Sequence, residues 1–137
     1  MDTRRLLIGT LVGGVTVFVL GYLIFDLAFG AFYSANAGSA TGVPRETQLV
    51  WAVALGSLSY GALLALTIAA RAGSSDIGTG VKIGALVGFL LWFTADFILY
   101  GVENVSNLTR TIVDPVLEGV RAGISGGVIA VVLGKIR

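Results

Sequence analysis

Residues 80–100, GVKIGALVGFLLWFTADFILY, decide the fold of this chain. Only Lys82, near the start, and Asp96, towards the end, interrupt a run that is apolar on every side. A membrane-spanning helix needs about 20 predominantly apolar residues, whereas the strands of a membrane barrel alternate in polarity over segments of about 10 residues. The run therefore predicts a transmembrane helix.

Three other runs have the same character, and short connectors rich in small or polar residues separate the four. We predict membrane spans at about 6–26, 48–70, 80–100 and 115–136. The connectors are residues 34–47, 71–79 and 101–114. Short connectors make successive helices antiparallel neighbours. We therefore predict one transmembrane domain over residues 1–137, an all-α integral membrane four-helix bundle with up-down-up-down topology.

The composition agrees with a membrane protein and excludes several kinds of chemistry. Hydrophobic residues make up 55% of the chain and charged residues 12%, against about 25% charged residues in soluble domains. The absence of Cys and His removes disulfides, thiol redox chemistry, Cys/His zinc sites and Ser-His-Asp triads. The net charge of +1 argues against nucleic acid as a partner. We expect no metal, no cofactor and no enzymatic activity.

The cationic residues are distributed unequally between the two sides of the predicted bundle. One side carries Arg45 and Arg110. The other side, which holds both chain ends, carries Arg4, Arg5, Arg71, Lys82, Lys135 and Arg137. Lys and Arg favour the cytoplasmic side of a membrane. We therefore predict a multi-pass protein of the inner (plasma) membrane with both termini in the cytoplasm.

Glycine accounts for 20 of the 137 residues and recurs at every fourth position of the last two spans. Positions i, i+4 and i+8 share one helix face, and small residues let membrane helices approach closely. We predict glycine-zipper packing between these spans, with one zipper facing another protomer or a partner protein as the alternative. The two sets are Gly80, Gly84 and Gly88, and Gly119, Gly123 and Gly127; shorter versions are Gly9 with Gly13 and Ala52 with Gly56.

Ionisable and polar residues inside the spans form the candidate site. A lone charge near the bilayer centre costs about 2.5–3.5 kcal/mol, so we expect Asp96 to pair with Arg121, with Glu118 also within reach of Arg121. The predicted intramembrane polar cluster is Asp96, Glu118, Arg121, Ser57 and Asp26. Two interpretations compete: a structural ion pair that fixes the helix register, and a binding or proton-relay site that opens to the outer side.

Asp114 has a simpler interpretation, because it directly precedes Pro115. Asp is a favoured residue at the N-cap of a helix, and Pro is over-represented at the first helical position. We therefore predict that the last helix begins at this pair.

Several short motifs resemble small bacterial four-helix membrane families known as domains of unknown function, of the 1761 and 2177 types. The resemblance rests on residues 84–92, GALVGFLLW, with Asp96 after them, on Val113-Asp114 before a glycine-rich last span, and on 20–26 with Phe32-Tyr33. It implies a four-helix fold and a bacterial membrane setting, and it implies no chemistry.

Three classes of function stay open. The small size, the connectors too short to fold as domains and the faces rich in Gly and Ala favour an accessory or assembly subunit of a larger membrane complex. The alternative is a small oligomeric carrier or channel that uses the intramembrane Asp/Glu/Arg site. The third class is a membrane enzyme or a lipid-binding protein. Without His or Cys, an enzyme would have to work through Asp/Glu acid–base chemistry or a carboxylate-bound metal. The expected partners are the lipid bilayer and further copies of the chain or other membrane subunits.

Overall fold

A computed structural model describes residues 2–71 and 76–136, and within these ranges the chain is all-helical. The elements are α1 (Thr3–Gly21), a π-helical segment (Tyr22–Ala28), α2 (Gly30–Ala35), α3 (Val50–Ala69), α4 (Ile77–Val102) and α5 (Leu108–Lys135). Four stretches are long and apolar enough to cross a membrane: Thr3–Ala28, α3, α4 and α5. An all-helical chain with four candidate spans is therefore confirmed. Residues 72–75 of the predicted connector 71–79, and Arg137, lie outside the described residues.

Side-chain caps fix where three of the long helices begin. Asp2 accepts a hydrogen bond from the Arg4 backbone N–H at 2.9 Å. Asp76 accepts from both the backbone N–H and the hydroxyl of Thr79, at 2.8 and 2.9 Å, and these bonds lower the pKa of its carboxyl. Such caps satisfy backbone donors that have no partner inside the first turn of a helix.

The predicted start of the last helix at Asp114-Pro115 is wrong, because a cap upstream replaces it. The Asn107 side chain accepts from the Arg110 backbone N–H at 2.9 Å and donates to the Asn36 side chain at 3.0 Å. This cap lengthens α5 by about two turns and leaves Pro115 inside the helix. The missing N–H of Pro115 then leaves the carbonyl of Thr111 without its helical donor.

Different contacts join the chain at the two ends of the bundle. In the terminal half, where α1 begins and α5 ends, the Arg5 guanidinium donates to the carbonyls of Leu133 and Ile136 at 2.9 and 2.7 Å. In the loop half, residues 36–40 lie against residues 104–107 and form backbone hydrogen bonds with them. The principal buried cluster is Val17, Tyr60, Leu64, Ile68, Ala122, Ile129 and Leu133.

The closest helix pair is α4 with α5, and glycines set its separation. A Cβ added at Gly80, Gly84 or Gly88 would collide with α5. The opposing stripe on α5 is Glu118, Ala122 and Gly126. Each residue of this stripe directly precedes one of the predicted zipper glycines, Gly119, Gly123 and Gly127. Those glycines border α4 less closely on average. A Cβ at Gly119, for example, would lie 3.4 Å from the Ala85 carbonyl oxygen.

The second closest pair is α1 with α3. A Cβ at Gly61 would collide with the backbone of Gly14 and Thr10. A Cβ at Gly56, which we expected in the packing stripe of the second span, would meet nothing within 4 Å. The face of α3 that meets α1 carries Leu58, Gly61 and Ala65. It is rotated about the helix axis away from the predicted stripe, and Gly56 borders open space. The helices α3 and α4 share few contacts.

Candidate functional site

Arg121 and Glu118 form a buried ion pair on successive turns of α5. The Nη1 atom of Arg121 lies 3.0 Å from Oε1 of Glu118, and the two side chains are 11% and 4% exposed. Among the described residues this is the only ion pair within 4.0 Å. The predicted Asp96–Arg121 pair is therefore wrong, because a carboxylate at i−3 on the same helix reaches the guanidinium first.

The Arg121 guanidinium also joins α5 to α1. Its Nε and Nη2 atoms donate to the Val17 carbonyl oxygen at 2.9 and 2.7 Å. Gly21 makes the approach possible, since a Cβ there would collide with Nη2. The carbon atom of the guanidinium lies 5.4 Å from the ring centroid of Phe25, in the π-helical segment. Such π-helical turns occur frequently at functional sites.

Three buried polar atoms near this ion pair make no hydrogen bond of good geometry among the described residues: Tyr60 Oη, Trp92 Nε1 and Glu118 Oε2. The Tyr60 hydroxyl lies close to both of the other groups. The Tyr60 hydroxyl can donate or accept a hydrogen bond, the Trp92 indole N–H can only donate, and the ionised Glu118 carboxylate can only accept. An unsatisfied buried polar group costs about 1–3 kcal/mol, and in a native structure it calls for an explanation such as an ordered water, an ion or a ligand.

Two cavities reach Arg121 from different directions. The first, of about 580 Å³, lies between α3 and α4 and is lined by Val17, Val53, Gly56, Ser57, Ser59, Tyr60, Leu63, Leu91, Trp92 and Arg121. The second, of about 370 Å³, lies between the end of the first span and the start of α3, and its polar lining includes Tyr22, Asp26, Gln48 and Arg121. Arg121 therefore stands between a lateral cavity and one at the loop end.

A second polar cluster lies nearer the loop end. The Asp96 carboxyl lies beside the Asp114 carboxyl, and its Oδ2 atom is buried without a partner. The Tyr33 hydroxyl donates to Asp114, and the Arg110 guanidinium lies 4.8 Å from the centroid of the Tyr33 ring. Burial and, after it, the hydrogen bond to Asp114 raise the pKa of Tyr33.

The predicted cluster is thus divided between separate places. Arg121 and Ser57 line the first cavity, where Ser57 Oγ donates to the Val53 carbonyl at 2.8 Å, and Glu118 is paired with Arg121. Asp26 borders the second cavity and is exposed, and Asp96 belongs to the second polar cluster.

Sequence reasoning missed three parts of the arrangement: the Val17 carbonyl, Gly21 and the indole N–H of Trp92. Only Trp92 carried a signal, since a buried Trp N–H usually needs a hydrogen-bond partner. The Val17 carbonyl and Gly21 belong to a run whose other residues are almost all apolar, and nothing in that run distinguishes them.

Comparisons with family models, with curated proteins and with solved structures find no match for this chain. The resemblance to the two families of small bacterial membrane proteins therefore stays a prediction. Within the described ranges, no group of three or more His, Cys, Asp or Glu side chains is arranged to hold a metal ion.

Proposed function

We propose that this chain is a multi-pass protein of the inner (plasma) membrane with both termini in the cytoplasm. The excess of Lys and Arg on the side of the chain ends supports this orientation. The hydrogen bonds of Arg5 to the end of α5 support an up-down-up-down topology, in which the first and last spans are antiparallel. The close approach at Gly80, Gly84 and Gly88 supports glycine-zipper packing of the last two spans.

Its activity, in this proposal, is to bind a polar molecule in the loop half and to act as a small carrier, in an oligomer. The binding site, here called the arginine site, comprises Arg121, Glu118, Tyr60, Trp92 and the Val17 carbonyl. Arg121, Tyr60 and Trp92 carry the proposal, because their side chains line a cavity of about 580 Å³. A purely structural ion pair would favour full hydrogen bonding instead.

The second candidate is an accessory or assembly subunit of a larger membrane complex. A separate apolar groove favours it: a cavity of about 490 Å³ on α4 and α5 is lined by Val81, Ala85, Phe89, Val116, Gly119, Val120, Gly123 and Ile124. Small residues on a lipid-facing surface allow another membrane helix to approach closely. The occupant would be a second copy of this chain or a helix of another subunit.

Native mass spectrometry of the protein, extracted gently from its own membrane, distinguishes the two candidates. The carrier proposal predicts a stoichiometric small molecule that Trp92→Phe loses, because this change removes the Nε1 donor and keeps an aromatic ring. The matched control is Trp51→Phe, at a side chain that is 69% exposed, which keeps the molecule. A second polypeptide in fixed stoichiometry, without any retained small molecule, would favour the subunit.

A further inference from the structure

A third cavity, here called the terminal cavity, lies at the opposite end of α3 and α4 from the loops, where α3 ends and α4 begins. Its volume is about 540 Å³, and it is lined by two cationic side chains, Arg71 and Lys82, and by apolar side chains that include Ala70, Ile83, Leu86 and Val87. It shares no lining residue with the first cavity. The terminal cavity is therefore a place to bind a ligand that is separate from the arginine site.

The two cations face the terminal cavity from opposite walls, because Arg71 follows the end of α3 and Lys82 lies in the second turn of α4. Both residues are exposed, and neither forms an ion pair within 4.0 Å in the described part of the chain. The Asp76 carboxyl interacts with Lys82 but already accepts two hydrogen bonds from Thr79. Even with Asp76 counted in full, one positive charge is in excess, which favours a ligand with one negative charge.

The apolar lining indicates that this ligand also carries hydrocarbon. Ile83 and Val87 pack against the buried core, whereas Leu86 is 58% exposed on the surface that would face lipid. Leu91, about one turn beyond Val87, lines the first cavity. Apolar side chains therefore continue along the seam between α3 and α4 for about 14 Å from Lys82. A small soluble anion would use only the cationic end of this seam, whereas an acyl chain would fill its length.

We propose that the terminal cavity binds an anionic phospholipid, with its phosphate between Arg71 and Lys82 and one acyl chain along the seam between α3 and α4. Basic pockets between transmembrane helices on the cytoplasmic side bind anionic headgroups in other membrane proteins. The lipid joins two helices that share few contacts and so completes the packing of the bundle. Only its assignment to the cytoplasmic leaflet rests on the orientation proposed above.

Native mass spectrometry in a neutral detergent tests the proposal. The fraction of protein that carries one lipid is measured as phosphatidylglycerol or phosphatidylcholine is added. One cation near a membrane surface is worth about fivefold in affinity for an anionic lipid. Phosphatidylglycerol should therefore bind about fivefold more tightly than phosphatidylcholine, whose headgroup has no net charge. Equal affinities for the two lipids would overturn the proposal.

Charge variants test whether the two lining cations form the site. Arg71→Gln and Lys82→Gln should each abolish the fivefold preference, because each removes the excess positive charge. The matched control is Arg4→Gln, at an exposed cation on the same side of the bundle that does not line the cavity. It should keep the preference, and far-ultraviolet circular dichroism would verify that all three variants fold. An equal loss in Arg4→Gln would overturn the site, since it would show a general attraction to the basic side.

A variant that fills the cavity tests the position of the lipid chain. Ala70→Phe keeps both cations but occupies the terminal cavity, so it should abolish the binding of phosphatidylglycerol. Ala31→Phe, at an exposed alanine of α2 in the loop half, should keep this binding. Unchanged binding in Ala70→Phe would overturn the proposed position along the seam.

Two further results identify the source of the negative charge. Free glycerol phosphate in large excess should not displace phosphatidylglycerol, and displacement would show that the occupant is a soluble anion. A second polypeptide that is retained in place of the lipid, and is lost in Arg71→Gln, would show a protein partner. Either result would overturn the phospholipid as the occupant. Neither depends on the arginine site, whose own test is the loss of a small molecule in Trp92→Phe.

Discussion

In the terminal half of the bundle, Leu64, Ile68 and Ile129 are fully buried between helices, and Gly80 lies against the backbone of Gly126. In the loop half, an ion pair and several unpaired polar atoms lie near two cavities. The terminal half also has a cavity, of about 540 Å³ between α3 and α4, but its lining includes neither the ion pair nor any of the unpaired atoms. Tight packing stabilises membrane helix contacts, whereas buried polar groups without partners cost free energy.

The difference indicates where the fold and the site each lie. Backbone contact at glycines gives the terminal half its close packing, and this half has no buried polar side chain without a partner among the described residues. The loop half keeps costly groups that a merely structural core would lack. We infer that the terminal half holds the bundle together while the loop half is arranged for binding.

Removal of one member of the ion pair should have the largest effect. Glu118→Leu leaves the buried Arg121 charge uncompensated, which costs about 3–5 kcal/mol in known buried pairs. The measurement is reversible unfolding of the protein in mixed micelles as the fraction of denaturing detergent rises. The control is Lys82→Met, at an exposed cation of α4. Equal destabilisation by both changes would mean that burial of the pair is unimportant.

A second prediction compares glycines in the two halves. A Cβ at Gly84 would collide with the Ala122 carbonyl, whereas a Cβ at Gly56 meets nothing within 4 Å. Gly84→Ala should therefore lower the free energy of unfolding by about 1–3 kcal/mol, as overpacking does. Gly56→Ala should cause no loss, and both can be measured by the same unfolding assay. A loss of equal size at Gly56 would contradict the contrast in packing between the halves.

The cap of α5 should give a smaller effect. Asn107→Ala removes the hydrogen bonds to the Arg110 N–H and to Asn36, and the loss of an N-cap typically costs about 1 kcal/mol. The matched control is Asn104→Ala, at an exposed residue of the same loop. If the free energies of unfolding of the two variants were equal, α5 would not depend on the cap at Asn107.

The smallest effect should come from the protonation of Tyr33. Because its pKa is raised in the folded protein by burial and by Asp114, the unfolded chain ionises Tyr33 first. The stability that this group contributes is present below the ordinary Tyr pKa of about 10 and is lost as pH rises above it. Tyr33→Phe should remove this part of the alkaline loss, and Phe29→Leu should leave it. The measurement is the free energy of unfolding between pH 8 and 11. If the Tyr33→Phe variant lost as much stability over this range as the unchanged protein, the prediction would be refuted.

The sequence was sufficient to predict the four apolar spans, because a bilayer requires long apolar helices whatever they contact. It also indicated that Gly80, Gly84 and Gly88 share a face. It could not predict the partner of Arg121, because depths counted from Lys82 and Lys135 placed Asp96 level with Arg121, whereas the observed register sets Gly88 beside Glu118 and so carries Asp96 further towards the loop end. The start of α5 was misplaced for a similar reason: Asn107 and Asp114 both suit an N-cap, and the tertiary contact of Asn107 with Asn36 favours the first.

The most direct test of the central claim is the free energy of unfolding of the double variant Glu118→Leu/Arg121→Met. If the pair serves binding, apolar replacements of similar size should leave stability unchanged or raise it by about 1–4 kcal/mol, as happens when other buried pairs are replaced. A double variant that is destabilised as strongly as Glu118→Leu alone would show instead that the pair holds the fold together.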